Sequence, residues 1–489
     1  MYKPMNQTLM SYTIVSLRVV RSSLRFKKPP TYRKLASMAT GHTIHITPDN
    51  TGLWKVPQDE SAAKKASELL QQDLEKHHVY FNDRGFHDHI THHILSLYGT
   101  GASPEQLQKA YDVNASYQRP PGGLHEEVLK ELKNWEAAKK WLGKGEYYTD
   151  FLAFFQNEVD KLGWEKTLNE YLFKGDEKSE DMLVRMFAGL VHPLIQLMYG
   201  IEWKQPAIVA MALAQTAVHQ NYFTKFLHTA EEAAKSNPTP MPSIASLLED
   251  VATNKKLATA SKLDDYTSKI RGVLAKAWDE TIEITSRVKV KPEGLDERTA
   301  EMYHTTIYEA ASAAFHPGKV PKFDFFLMHH VNISPIFITI NNQDWISTEV
   351  KVRLLEWKIR LDLIQYAARN CPPLRFDELT SYVPKDKKYV PKEELLRRVQ
   401  DIENDDGHAI KLFRAVSLGQ TVSEKYEDKD WVKIKGDLWT KLNHLIVDSL
   451  EAPGPHWVRG AGDPKAWDEI PDLPKDVNGV SDKLEQVHL

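Results

Sequence analysis

Apolar residues recur three and four positions apart through most of the stretch 61–450, and this spacing limits the fold more than any other feature of the sequence. In one segment, for example, Ile90, Ile94 and Tyr98 follow a single helical face before two glycines end the pattern. A half-buried strand would instead alternate apolar and polar residues at every second position. The sequence therefore predicts an all-α protein built as one large multi-helical domain.

The sequence makes specific predictions for two helices and for two short strands. The segments 86–98 and 181–199 are each predicted to be one continuous helix, the second kinked where Pro193 removes a backbone hydrogen bond. Only the short runs 42–47 and 336–340 favour strands. No stretch of 18 uninterrupted apolar residues occurs, so no transmembrane helix is predicted.

The ends of the chain differ in composition from its middle. Residues 1–37 contain eight lysines and arginines and no acidic residue, which resembles a mitochondrial presequence unless Met38 is the true start. Residues 38–451 are the predicted catalytic helical domain. Residues 452–489 are rich in proline, glycine and aspartate, and are predicted to form an extended tail anchored by its two tryptophans. We expect a cytoplasmic protein, or a mitochondrial one if the basic leader is a presequence.

Charge and cysteine content exclude several classes of function. A net charge of −4 is too small to indicate nucleic acid or an anionic membrane as a partner. The single cysteine, Cys371, excludes a disulfide framework, zinc sites built from cysteine and iron–sulfur clusters. The chain has twenty histidines, and histidine is the commonest metal ligand in proteins. The chemistry therefore depends on which of these histidines point into the core.

The densest histidine group lies at the start of the predicted helix 86–98. His89, His92 and His93 are spaced so that at least one of them faces inward at the edge of the apolar stripe. Asp88 is available to accept a hydrogen bond from a ring nitrogen and to fix its tautomer. A polar helix rim would explain this group equally well.

Two further apolar segments carry histidines. His192 lies in the middle of an apolar stretch and is predicted to be buried, so each ring nitrogen needs a metal or a hydrogen-bond partner. His329 and His330 follow an apolar, aromatic run. Adjacent side chains cannot both face one core, so one of these two points inward. His316, in Phe-His-Pro-Gly, is predicted to be a structural residue at a helix end.

The fourth segment places His408 and Lys411 one turn apart on one helix face, behind a cap at Asp405 or Asp406. A protonated lysine beside a divalent cation is unfavourable. Lys411 is therefore expected to be neutral, to lie at a distance, or to be carbamylated by carbon dioxide into a carboxylate ligand, unless it is a solvated surface lysine.

Together these segments supply four inward histidines on separate helices, which is a common way to build a metal site in a helical bundle. Ligation by nitrogen without thiolate suits iron, copper, zinc or nickel better than magnesium or calcium.

Four motifs in this order resemble the questin oxidase-like family of fungal polyketide pathways. They are His-x-x-His-His-x-x-x-Leu-Tyr-x-x-Gly-Ala-Ser at 89–103, Gly-Leu-Val-His-Pro-Leu-Ile at 189–195, Met-His-His-Val-Asn at 328–332 and Asp-Gly-His-Ala-Ile-Lys at 406–411. The resemblance runs from about residue 45 to the tail.

The resemblance implies an oxidoreductase of secondary metabolite biosynthesis. Its members open the central ring of anthraquinones by a Baeyer–Villiger-like insertion of oxygen and cleavage of a carbon–carbon bond. It also implies a non-haem iron(II) centre. Carried onto this chain, the metal ligands are His89, His192, His329 and His408, with Lys411, carbamylated, as an oxygen ligand and catalytic residue.

Some assignments within this resemblance stay open. His92 and His93 are alternatives to His89 as a ligand, and His330 is an alternative to His329. NADPH enters only as an external reductant, because no Gly-x-Gly-x-x-Gly follows a predicted strand. The expected partners are an aromatic polyketide and dioxygen.

A planar polyketide needs a flat, mostly apolar pocket. Five aromatic residues near the proposed ligands are candidates for its lining, although core packing explains them as well: Tyr98, Tyr199, Trp203, Phe325 and Phe326.

Two other functions agree with the same residues. Histidine ligation does not identify the metal, so a zinc-dependent hydrolase or cyclase acting on a polyketide is one alternative. A non-enzymatic helical binding module is the other, in which the inward histidines make only core hydrogen bonds.

Overall fold

The computed structural model describes residues 39–261 and 269–474, and their regular structure is helical, as the apolar spacing predicts. The predicted leader 1–37 and the last residues of the predicted tail, 475–489, lie outside the described residues. The helices of the first part are Glu60–Lys76, Ile90–Tyr98, Pro104–Ala115, Glu126–Glu131, Trp135–Ala138, Tyr148–Leu162, Trp164–Leu168, Glu177–Met186, His192–Glu202, Pro206–Val218, Thr224–Ser236, Ile244–Thr253 and Lys255–Ala258.

The second part continues the same architecture. Its helices are Lys269–Lys276, Trp278–Thr285, Leu295–Ser312, Phe325–Asn332, Pro335–Asn341, Thr348–Ala368, Phe376–Thr380, Lys392–Gln400, His408–Ser423 and Leu438–Glu451. Single 3-10 or π turns occur at Gly52–Trp54, Gly145–Tyr147, Asn169–Phe173, Gly189–Val191, Pro292–Gly294, Glu424–Tyr426 and Pro464–Trp467. The prediction of an all-α, multi-helical domain is confirmed.

Neither predicted strand forms, and the described residues contain only isolated β-bridges. The run 42–47 does not pair with a second strand, because side chains accept its amide hydrogens: Ile44 N donates to Gln71 Oε1 at 2.9 Å and Ile46 N to Ser67 Oγ at 2.8 Å. The run 336–340 lies inside the buried helix Pro335–Asn341. Proline in its first turn favours a helix start, and an apolar run this short fits either structure.

The segment predicted as a kinked helix over 181–199 is in fact two helices joined by a break. Gly189, Leu190 and Val191 all have positive φ angles, of 57°, 53° and 57°, so the backbone leaves the helix before His192. Pro193 then stands in the first turn of the next helix, where its missing N–H costs nothing. The prediction that Pro193 kinks a continuous helix is therefore wrong.

The first of the histidine-bearing helices is also shorter than the predicted segment 86–98. It begins at Ile90, because Asp88 Oδ1 accepts the Ile90 amide hydrogen at 2.9 Å and holds the chain outside the helix. His89 stands at the N-cap position rather than within the helix.

Four helices surround one region of the core: the Ile90 helix (Ile90–Tyr98), the His192 helix (His192–Glu202), the Phe325 helix (Phe325–Asn332) and the His408 helix (His408–Ser423). The His408 helix packs against the Ile90 and Phe325 helices, and the His192 helix packs against the Ile90 helix. No single helix of the described residues is long and apolar enough to cross a membrane. The segments Glu177–Met186 and Gly189–Glu202, which meet at a bend, reach that length and hydropathy only when they are taken together.

Part of the predicted tail lies against the start of the Phe325 helix. Asp324 caps this helix through Phe326 N, at 2.8 Å, and its second oxygen accepts from Gly460 N and Ala461 N at 2.6 and 2.8 Å. Trp467 is buried beside this contact. One carboxylate therefore fixes both the tail and the helix that carries His329.

A buried ion pair joins two of the four helices. Arg414 of the His408 helix donates to Glu202 at the end of the His192 helix, and Glu202 also accepts from Leu53 N at 2.6 Å. Both charged side chains are almost fully buried. Loss of the arginine would leave a buried carboxylate without its counter-charge.

We therefore predict that Arg414→Met lowers the free energy of unfolding by about 3–5 kcal/mol. Arg397→Met, at an exposed position, should change it by less than about 0.5 kcal/mol. Urea unfolding followed by circular dichroism measures both. A loss below about 1 kcal/mol in Arg414→Met would show that the ion pair is not needed to hold the helices together.

Candidate metal centre

Four histidine rings meet where the four helices face one another. His89 Nε2 lies 2.9 Å from His192 Nε2, and His408 Nε2 lies 3.1 Å from His329 Nε2. The rings of His89 and His408 are 4.7 Å apart between centroids, and those of His192 and His329 are 5.1 Å apart. All four side chains are buried. These four Nε2 atoms are called the four-histidine centre below.

Backbone carbonyls fix two of these rings through their other nitrogen. His192 Nδ1 faces the carbonyl oxygen of Gly189 at 2.7 Å, and His329 Nδ1 faces that of Phe325 at 2.5 Å. A carbonyl oxygen can only accept, so each Nδ1 carries the hydrogen. Each Nε2 is then left with a lone pair.

One carboxylate fixes the other two rings. Asp406 reaches His89 Nδ1 with Oδ2 at 2.9 Å, and its Oδ1 forms a short hydrogen bond with His408 Nδ1. An ionised carboxylate also only accepts, so Asp406 gives both rings the same tautomer. Ligand histidines are typically oriented by such partners on the second nitrogen.

The outcome is a buried group of lone pairs: ring nitrogens of His89, His192 and His408 all lie within 4.8 Å of one another, and His329 Nε2 joins the group through its contact with His408 Nε2. Within each close pair of Nε2 atoms neither nitrogen can donate a hydrogen without giving up its Nδ1 bond. A cation between the rings removes this repulsion, and four imidazole nitrogens form a donor set that transition metals prefer. The geometry therefore fits a metal ion.

Burial keeps three of these rings, those of His192, His329 and His408, neutral. It lowers the pKa of His192 and of His329 well below the usual histidine value, and the neighbouring imidazoles lower both further. Burial also lowers the pKa of His408 to about 3, although the Asp406 carboxylate raises it in part. Neutral imidazole is the form that binds a metal.

Lys411 lies in the same buried region. Its Nζ atom has no hydrogen-bond partner among the described residues, and its charge lowers the pKa of His92 and of His192. Burial lowers the pKa of Lys411 itself to about 8, partly offset by nearby carboxylates. A neutral amine can bind a metal or react with carbon dioxide, so the position agrees with either role.

The alternative ligands are placed differently. His93 Nδ1 lies 3.1 Å from Asn114 Nδ2, and His330 Nδ1 lies 2.5 Å from Asp362 Oδ1, so these two rings have other partners. His92 is fully buried beside the centre, where the Gln196 side chain is its polar neighbour. His316 stacks on Trp467.

Sequence reasoning proposed Asp88 as the carboxylate that orients a histidine, and the structure assigns this position to Asp406. Asp88 caps the Ile90 helix and contacts Asp73 instead. The available signal was the spacing Asp-x-His at 406–408, which lets the carboxylate reach back to the imidazole two residues later. Its second contact, with His89, spans 317 positions in the sequence and could not be read from it.

Two backbone positions require glycine because other residues come so close. A Cβ atom on Gly189 would lie 2.2 Å from His219 Nε2, and one on Gly407 would lie 2.7 Å from His93 Cβ. Both have positive φ, as does Val191, where a β-branched side chain makes this conformation strained. The strained turn at 189–191 places the Gly189 carbonyl where it accepts the hydrogen of His192 Nδ1.

A cavity of about 950 Å³ adjoins the centre, and His87, His219, Tyr80, Gly189, Leu190 and Phe326 are among its lining residues. The His87 ring is stacked 4.0 Å from that of His192 and 5.0 Å from that of His219. The Tyr80 hydroxyl lies 3.2 Å from His219 Nδ1. This row of rings connects the cavity with the four-histidine centre, and sequence reasoning did not single out its outer members.

Of the five aromatic residues proposed as pocket lining, Phe326 lines the cavity. Phe325 packs against the rings of His329 and His408, and Tyr199 stacks on His92. Tyr98 and Trp203 are fully buried and are not among the residues that line the cavity.

We predict that Asp406→Asn weakens metal binding about 10- to 100-fold, because an amide no longer holds two imidazoles in one tautomer. Competition with a chelator measures the affinity. Asp401→Asn, on the exposed surface, is the matched control and should leave it unchanged. Equal affinities in both variants would mean that Asp406 does not orient the ligands.

The buried neutral histidines also predict how stability depends on pH. Burial lowers the pKa of His219 to about 4 and that of His304 to about 3, and an unfolded histidine titrates near 6.5. Below pH 6.5 these histidines bind protons in the unfolded chain that they do not bind in the folded one. The unfolding free energy of the metal-free protein should therefore fall as pH drops from about 6.5 towards 4. A thermal midpoint that stays constant or rises between pH 7 and pH 5 would contradict this.

Known proteins share similarity with this chain over most of its length. The Questin oxidase-like family model matches residues 86–416, which contain the four histidines and Lys411. A Baeyer-Villiger oxidase of Pestalotiopsis fici is 36% identical over 443 residues, covering 89% of this chain and 99% of the relative. An oxidoreductase of Aspergillus parasiticus is 35% identical over 450 residues, covering 85% and 90%.

A questin oxidase of Aspergillus fumigatus is 34% identical over 454 residues, covering 89% of this chain and all of the relative. The names of these relatives describe oxidases, and they give no support to a hydrolase or to a non-enzymatic binding module. The family match and the near-complete coverage of these relatives show that the chain belongs to the Questin oxidase-like family and is an oxidoreductase.

Proposed function

We propose that this chain is an oxygenase that opens the quinone ring of an anthraquinone-type polyketide, using dioxygen at a non-haem iron held by the four-histidine centre. The observation that carries this proposal is the convergence of four fixed imidazole lone pairs next to a cavity of about 950 Å³. That volume is within the range of small-molecule sites and leaves room for a planar tricyclic compound.

The residues present fit an iron ion. His89, His192, His329 and His408 offer neutral nitrogen donors, and the buried Lys411 amine lies beside them without a hydrogen-bond partner among the described residues. Such a set suits iron better than magnesium or calcium. Bound iron(II) supplies the one-electron chemistry that dioxygen needs to react with an aromatic compound.

The proposed reaction inserts one oxygen atom between a ring carbonyl carbon and the adjacent aromatic carbon. The resulting ester opens with water to a carboxylate and a phenol. The other oxygen atom leaves as water after an external reductant such as NADPH has supplied two electrons. The reductant acts from solution, in agreement with the lack of a dinucleotide-binding fingerprint in the sequence.

Residues of the chain position the substrate. Phe326 offers an aromatic face in the cavity, and the Arg369 guanidinium lies 3.9 Å from its ring centroid. The Tyr80 hydroxyl can hydrogen-bond to a phenol or carbonyl oxygen at the inner end of the cavity. Burial of the four histidines keeps bulk water from the reacting carbon.

Lys411 has a proposed role beyond packing. A pKa of about 8 leaves a neutral fraction of the amine at neutral pH. Addition of carbon dioxide to that amine gives a carbamate, whose oxygen replaces an unfavourable positive charge with an anionic ligand. In this way Lys411 supplies the oxygen donor of the site.

The experiment is reconstitution with iron(II) without air, followed by elemental analysis and an oxygen electrode with questin as substrate and NADPH as reductant. We expect about one iron per chain in the wild type and uptake of dioxygen that depends on substrate. His192→Ala and His408→Ala should lose the iron and lower turnover by roughly 100-fold or more, because each removes one of four ligands. Lys411→Met should lower turnover as well.

His316→Ala is the matched control, since this ring stacks on Trp467 rather than facing the centre, and it should keep both iron and turnover. Retention of iron and turnover in His192→Ala would place the metal elsewhere. Zinc in the purified protein with no uptake of dioxygen would indicate hydrolytic chemistry instead.

A further inference from the structure

A second group of ligand-type side chains lies where the Glu60–Lys76 helix ends and the Ile90 helix begins. Asp73, His77 and Asp88 each offer one atom, and these atoms are all within 4.8 Å of one another. His77 Nδ1 is 3.1 Å from Asp73 Oδ1. None of the three side chains belongs to the four-histidine centre.

The two carboxylates lack a matching positive charge. Among the described residues no lysine or arginine lies within 4.0 Å of either carboxylate. His77 is the only side chain able to carry a positive charge that pairs with Asp73 there. Asp73 is 1% exposed and stands in the last turn of its helix, where the helix dipole disfavours an anion. Burial raises the pKa of Asp73 to about 6.

A separate observation indicates what would offset this charge. The three side chains line a cavity of about 10 Å³, which is roughly the space for one ion or water molecule. Gln215, which is 1% exposed, lines the same cavity, and its Oε1 atom is buried without a hydrogen-bond partner among the described residues. An unpaired amide oxygen is costly in a protein core unless it faces a donor or a cation.

We propose that this cavity is a second cation site, in which Asp73, Asp88, His77 and Gln215 bind a divalent ion of the manganese or zinc class. Two atoms bound to one ion lie up to about 4.2 Å apart, twice a metal–ligand distance of about 2.1 Å. Atoms that all lie within 4.8 Å of one another therefore need only small side-chain shifts to close the site. Two carboxylates with one imidazole suit manganese or zinc, since calcium and magnesium prefer oxygen ligands alone.

Such an ion would hold the chain that leads into the four-histidine centre. Asp88 N donates to the Val79 carbonyl at 2.8 Å, and Asp88 Oδ1 caps Ile90. The residue between Asp88 and Ile90 is His89. An ion on Asp88 therefore fixes the backbone that carries one of the four rings. His77 and Asp88 are only half-buried, which gives the ion a route from solvent.

The test separates the two sites by mutation of the full-length chain. His192→Ala/His408→Ala removes the four-histidine centre, and Mn²⁺ is titrated into this metal-free variant while free Mn²⁺ is followed by electron paramagnetic resonance. We expect one bound Mn²⁺ per chain. Addition of Asp88→Asn should weaken that binding at least tenfold, whereas addition of Asp83→Asn, on the exposed part of the same loop, should not.

Asparagine has the shape of aspartate and keeps the oxygen that caps Ile90, so Asp88→Asn is expected to fold. Its thermal midpoint without metal should equal or exceed that of its parent, because one of two facing carboxylates has lost its charge. A second measurement is the rise in thermal midpoint when Mn²⁺ is added to protein already loaded with iron. We expect this rise in the wild-type chain and not in Asp88→Asn.

No Mn²⁺ or Zn²⁺ binding in the variant that lacks the four-histidine centre would overturn the proposal, and would mean that Asp73 and Asp88 share a proton instead. Equal Mn²⁺ affinity in the Asp88→Asn and Asp83→Asn variants would also overturn it. None of these outcomes depends on oxygenase activity.

Discussion

The structure depends on how four imidazoles are held so that their Nε2 lone pairs lie close together in the core. Two backbone carbonyls and the Asp406 carboxylate occupy every Nδ1 position, so the Nε2 atoms cannot donate to one another. In water such rings would rotate or take up protons. Here burial prevents both, and it turns four separate side chains into one donor set.

The surrounding fold supplies the rigidity that this arrangement requires. The turn before His192 adopts left-handed conformations at three consecutive residues, including Val191, and so directs the Gly189 carbonyl at the ring. The Arg414–Glu202 pair joins two of the four helices. Asp324 fixes the start of a third together with the tail. Strain and buried charge are therefore concentrated around the centre, as is common at functional sites.

Much of the fold and part of the site could be predicted from the sequence. Helical spacing of apolar residues indicated the all-α class, and histidines inside apolar segments indicated His192, His329 and His408. The resemblance to the questin oxidase-like family connected these residues to an oxidoreductase, and the family match confirms that relationship. The local errors have physical causes. The run 336–340 is too short for its periodicity to distinguish a strand from a helix, and an Asp88 cap shortens the helix that begins at Ile90.

The sequence alone determined which residue types were available: a helical core, one cysteine, and histidines in apolar surroundings. Only the tertiary structure decided which of them meet. Asp406 and His89 are 317 positions apart, and the row His219–His87–His192 joins three distant segments beside the cavity. Local spacing records which face of a helix a residue occupies, whereas the packing of helices against one another sets the distances between those faces. For this reason the sequence predicted which histidines face the core, but not which residues orient them.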